Sequence, residues 1–138
     1  MSKASKIISE SILGEYVRNI EIGGKWYDIQ QPTIPTIARI VKHWSNIDIK
    51  DDYNKINIIS AIPINSKHII NGIAKALAGT GVFSKLKYVK YKWIARKMTT
   101  RELRYATETI IDLIKGEDFF VCASLAKNAT MLIAKQKR

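Results

Sequence analysis

A single cysteine, Cys122, stands in this chain, so no internal disulfide can form and no cysteine-based metal cluster can assemble. Its neighbours Phe119, Phe120, Val121 and Ala123 are apolar, which predicts a buried, unreactive thiol. Histidine is almost as scarce. His43 and His68 could join a carboxylate around a metal, but no HxxxH or HxxE spacing supports that, and ordinary surface or half-buried roles are expected. Gly79-Thr80-Gly81 lacks the Lys-Ser/Thr that follows a phosphate-binding loop, and Gly23-Gly24 reads as a turn. The adjacent acids Asp51-Asp52 and Glu117-Asp118 suit a turn and a helix start better than acid–base chemistry. No apolar run reaches the roughly 18 residues that span a bilayer. In residues 1–17, Ser9, Glu10 and Ser11 interrupt any signal-peptide core. The expectation is a protein of a reducing interior, in the cytoplasm, with no membrane contact, cofactor, metal or enzymatic activity.

The most informative absence is that of carboxylates. Between Tyr53 and Arg101 there is none, while ten basic residues occur: Lys55, Lys67, Lys75, Lys85, Lys87, Lys90, Lys92, Arg96, Lys97 and Arg101. Outside that window thirteen Lys and Arg nearly balance twelve Asp and Glu, so the +11 net charge sits in one stretch. A field of one sign attracts anionic partners and speaks to binding rather than fold.

What is present describes a mainly α protein, a single small helical domain with one N-terminal β-hairpin. The hydrophobic fraction of 46% supports a folded core. Residues 4–17 carry a helical rhythm through Ile7, Ile8, Ser11 and Ile12, an N-terminal arm weakened at Gly14. Asn19–Ile22 and Lys25–Ile29 flank Gly23-Gly24, which suits a tight hairpin over about 18–30. The helical body begins at 33. Thr33 or Thr36 can cap a helix with Ile37, Ile40, Val41 and Trp44 on one face, ending near Ser45-Asn46. Residues 46–53 read as a loop. Residues 53–64 are ambiguous between helix and strand, limited by Pro63, and Asn65 or Ser66 can cap a helix ending at Gly79. The tract 82–98 fits a helix through Val82, Leu86, Val89 and Trp93, although Lys87–Trp93 also alternates with period two; a helix is preferred. Thr99-Thr100-Arg101-Glu102 is a capping box. One helix follows it to Lys115-Gly116. A last one starts at Glu117 and uses Phe120, Ala123, Leu125, Met131, Leu132 and Ile133.

The candidate binding residues are Lys85, Leu86, Lys87, Tyr88, Lys90, Tyr91, Lys92, Trp93, Arg96 and Lys97. Cations interleaved with aromatics can hold a phosphate backbone and stack bases. Lysines dominate, however, and no nucleic-acid-binding signature accompanies them. An acidic protein partner, or simply a solvated face with its aromatics in the core, is the stronger reading. The narrow isoleucine stripes (Ile7, Ile12, Ile37, Ile40, Ile69 and Ile73 among them) belong to core packing or to a groove for an amphipathic segment of another chain.

Ile20-Glu21-Ile22-Gly23-Gly24-Lys25-Trp26-Tyr27-Asp28-Ile29 with Pro32-Thr33, and later Met98-Thr99-Thr100-Arg101-Glu102-Leu103 closed by Phe119-Phe120, resemble tail assembly chaperones of tailed phages. The resemblance spans about residues 18–125. It implies a small, largely helical, non-catalytic protein that binds the long tape-measure protein while the tail tube assembles. Such chaperones are often acidic, and this chain departs from them in its charge and in the tract 82–98. The expectation is a phage protein that binds a partner protein during virion or tail assembly, with homo-oligomerisation open. The alternatives are a nucleic-acid-binding accessory protein or a structural virion component.

Overall fold

The computed structural model describes residues 17–49 and 54–136. Of the helical arm expected over 4–17, residues 4–16 lie outside the described residues and Val17 opens a strand instead; the end of the loop expected over 46–53 also lies outside them. Strands β1 (Val17–Ile22) and β2 (Lys25–Gln30) form an antiparallel hairpin in which Ile20 pairs with Tyr27 and Ile22 with Lys25. Gly23 and Gly24 both take positive φ, 58° and 82°, the left-handed backbone that a two-residue connection needs. Alternation puts Ile20, Ile22 and Ile29 on one face, fully buried, while Trp26 on the other is exposed.

Five helices follow: α1 (Ile34–Trp44), α2 (Lys55–Ala78), α3 (Ser84–Ala95), α4 (Thr100–Ile114) and α5 (Gly116–Gln136). The molecule is therefore mainly helical with one hairpin, as the sequence implies. Helix α2 is the hub: α1, α3, α4 and β2 all pack on it, and α4 also supports β1. One core joins the three hairpin isoleucines to Ile40 of α1, Ile73 and Ala76 of α2, and Ala106, Ile110 and Leu113 of α4. Gly72 lets α1 come close, because a Cβ there would lie 2.1 Å from the Trp44 indole nitrogen. That nitrogen instead donates to the Ile69 carbonyl at 3.2 Å. Of the expected α1 face, Ile40 is buried, Ile37 and Trp44 are half-buried, and Val41 turns to solvent.

The capping box forms as read from the sequence. The Glu102 amide donates to Thr99 Oγ1 at 3.2 Å and the Thr99 amide to Glu102 Oε1 at 2.9 Å. Its reach is longer than the motif implies, since Gly24 N–H in the hairpin turn also donates to Glu102 Oε2 at 3.3 Å. These amides hold the Glu102 carboxyl below its ordinary pKa, the Thr99 amide contributing most, against the opposing effect of burial.

Three expectations are corrected. Residues 55–78 form one helix straight through Pro63, and Asn65 is inside it, not at its start. A proline in a helix interior costs about 3 kcal/mol. Here Asn54 caps the new start by accepting from the Asn57 amide at 2.9 Å. Asn65 grips the preceding loop, accepting from the Asp48 amide at 2.9 Å and donating to the Asp48 and Ala61 carbonyls at 3.1 Å. Tertiary hydrogen bonds thus retain a helix that local signals would divide. Second, Cys122 is exposed. Third, the apolar residues assigned to the last helix are exposed as well, because α5 buries none of its residues.

Candidate functional site

Helix α3 meets the body along Ser84, Tyr88, Tyr91, Lys92 and Ala95, spaced four, three, one and three, with Ala95 fully buried and the others half-buried. Val82, two residues before α3 begins, and Leu86, Val89 and Trp93 on its opposite side continue the same helical spacing. They are 95%, 70%, 64% and 66% exposed, so this stripe is surface and not core. Phe83, 65% exposed, extends it. Spacing alone identifies two stripes on α3; only the position of α2 decides which is buried.

The aromatic residues therefore separate. Tyr88 stacks on the His43 ring at 6.0 Å, with Lys75 Nζ 3.7 Å from its ring centroid. Tyr91 meets Tyr27 of the hairpin edge to face at 6.2 Å. Both are anchors that fix α3 to the body, and burial raises the Tyr88 pKa. Trp93 stays outside, its ring under the Arg96 guanidinium at 5.1 Å. The two tyrosines, which the nucleic-acid alternative would stack on bases, are turned inward. Of the ten candidate residues, Lys85, Leu86, Lys87, Lys90, Trp93, Arg96 and Lys97 remain exposed, whereas Tyr88, Tyr91 and Lys92 are half-buried.

The sequence reading missed the basic residues that other helices bring to α3. Arg39, Lys42 and His43 of α1 and Lys75 of α2 line a shallow hollow of about 380 Å³ beside Tyr88. A second hollow of about 370 Å³, across α3, is lined by Lys67, Asn71, Lys92 and Arg96 among others. Asn71 is buried there, and its Oδ1 has no hydrogen-bond partner. Desolvation first, then the charges of Arg39, Lys42 and Lys85, lower the Lys75 pKa. Desolvation, then Lys75, Lys42, Lys92 and His68, likewise hold His43 below its ordinary value. These shifts record burial first and a crowd of like charges second. The two ion pairs found among the described residues, Arg18–Asp112 at 2.7 Å and Arg104–Glu108 at 2.9 Å, involve none of these cations. In the sequence, the i, i+3 pair Arg39–Lys42 and the lone Lys75 gave little sign of this, since the convergence is made by helix packing.

Apolar surface continues along α2. Ile56, Ile58, Ile59, Ile62 and Ile64 are all exposed, and Ile58 and Ile62 border an apolar cleft of about 180 Å³ closed by Ile49, Ile69 and Leu103. Among the described residues no three His, Cys, Asp or Glu side chains gather at metal-binding distance. None of the described helices is long and apolar enough to cross a membrane. Comparison with protein-family models, curated proteins and solved structures finds no match to this chain.

Proposed function

We propose that this chain is a non-enzymatic binding protein that receives an acidic, amphipathic segment of another protein along α3. One observation carries the proposal: an apolar stripe on a helix anchored by its other face, rimmed by uncompensated cations. Val82, Leu86, Val89 and Trp93 supply burial, and an exposed tryptophan is the side-chain type that most often dominates binding energy. Lys85, Lys90, Arg96 and Lys97 beside them select negative charge and speed encounter. The resemblance to tail assembly chaperones gives this reading its setting. The client is then a tape-measure-like protein, whose apolar helical surface is shielded in the cytoplasm of the host cell until the tail or virion assembles.

The test is a pull-down of a co-expressed tape-measure-like client. Replacing Leu86 and Trp93 together by alanine should weaken capture by about tenfold or more, about 1.4 kcal/mol, without altering the far-ultraviolet circular dichroism. Unchanged capture would remove α3 from the interface. The converging Arg39, Lys42 and Lys75 favour a second reading, binding of nucleic acid phosphates. Anisotropy of a labelled oligonucleotide separates the two, because binding through several phosphates falls steeply with salt. Of the aromatics in the tract, Phe83 and Trp93 are exposed but ten residues apart, with Tyr88 and Tyr91 half-buried between them, so they offer no continuous stacking platform.

A further inference from the structure

Helix α5 runs 21 residues without burying one of them. Every residue in it is exposed except half-buried Ser124. Phe119, Phe120, Val121, Leu125, Met131, Leu132 and Ile133 are each more than half exposed, yet one residue, Lys115, separates the helix from well-packed α4. An isolated helix of about 30 Å gains little from propensity alone and depends on packing an apolar face. Among the described residues nothing supplies that face.

We propose that the partner is a second copy of this chain, joined through an antiparallel α5–α5 pair. The seam is written in the spacing. Asp118, Cys122, Leu125, Ala129, Leu132 and Gln136 recur at four, three, four, three and four, the alternation of a coiled-coil seam with polar residues at its two ends. The seam is self-complementary when two copies run in opposite directions about its midpoint. Leu125 of one copy then faces Ala129 of the other, and Leu132 faces Cys122, so a large side chain meets a small one at every apolar layer. Run in parallel, Leu would meet Leu, and Ala129 would meet Ala129 across a gap.

Charge agrees with the antiparallel arrangement. Glu117 and Asp118 at one end of α5 come beside Lys135 of the other copy, at both ends of the pair. Glu117, Asp118, Lys127 and Lys135 leave the helix neutral, whereas the protein carries +11. Self-association through the α3 stripe meets repulsion, because it would set Lys85, Lys90, Arg96 and Lys97 against themselves. The neutral helix is where two copies can meet without that cost, and a two-fold pair presents the same patch twice, as an isologous interface requires.

The test uses the full chain. Sedimentation equilibrium should show a dimer, and Leu125→Glu with Leu132→Glu should weaken it by about a hundredfold or more, since both charges would enter the seam. A second arm depends on direction. Leu132→Cys places its thiol against Cys122 of the other copy, so mild oxidation should give a covalent dimer. Within one helix the two thiols are about 15 Å apart and cannot join. The unaltered protein should not cross-link in the antiparallel pair, because its own Cys122 thiols are separated by a similar distance. A protein monomeric at every concentration, a dimer indifferent to the two glutamates, or ready Cys122–Cys122 cross-linking would each overturn the proposal. Capture of a client through Leu86 and Trp93 is read separately and does not depend on it.

Discussion

Helices α4 and α5 are consecutive in the chain and meet opposite fates. Helix α4 holds Arg101, Glu102, Arg104, Glu108 and Asp112, yet it buries Ala106, Thr109, Ile110 and Leu113. Helix α5 has fewer charges and more large apolar residues, and buries nothing. The difference is one of arrangement. In α4 the apolar groups at 103, 106, 110 and 113 share one face that fits the hairpin and α2. In α5, Phe119 and Phe120 lie on a different side of the helix from Leu125 and Leu132, and none of the described residues covers either side. Apolar content measures how much surface seeks cover; its distribution decides whether the same chain can supply it.

Matched substitutions sharpen that contrast. The largest effect belongs to the core: Ile110→Ala removes a fully buried side chain and should cost about 2–5 kcal/mol in denaturant unfolding. Leu125→Ala, measured at concentrations too dilute for association, should stay within about 0.5 kcal/mol. Equal losses would show that α5 is part of the core after all. Next come two glycines. Gly72→Ala drives a methyl group into the Trp44 indole and should lose about 1–3 kcal/mol in melting experiments. In Gly116→Ala the methyl meets nothing within 4 Å, so it should be neutral or slightly stabilising.

The smallest pair concerns helix starts and pH. Glu102→Ala removes a cap that also ties α4 to the hairpin turn, and should cost about 0.5–2 kcal/mol at neutral pH, while Glu117→Ala changes little. Because the folded pKa of Glu102 lies below its ordinary 4.5, its contribution is complete above that value and is lost as pH falls through the lower folded one. The difference in stability between the protein and Glu102→Gln should therefore shrink on acidification below about 4.5. A difference constant with pH would mean that the ionised carboxylate is not what holds the turn.

Much of the architecture was legible. Gly-Gly between β-branched arms, Thr99 with Glu102, and glycine at 79 each act through bonds within a few residues, and all three appear where the residues place them. Pro63 was misleading for the same reason: its effect is local, whereas Asn65 holds the helix through Asp48, seventeen residues away. The candidate tract was legible as a helix and as a basic one. Its inward tyrosines and outward leucine and tryptophan were not, since two apolar stripes on one helix look alike until a neighbour covers one of them.

The order of residues by itself settled the mainly helical class, the hairpin, the Thr99–Glu102 cap and the concentration of positive charge, because these follow from near-neighbour sterics, hydrogen bonding and summation. Only the tertiary structure decided that α2 runs unbroken, that Arg39, Lys42 and Lys75 converge on Tyr88, and that Val82, Leu86, Val89 and Trp93 face water. Those outcomes depend on which surfaces meet, and helix packing brings together side chains that lie far apart along the chain.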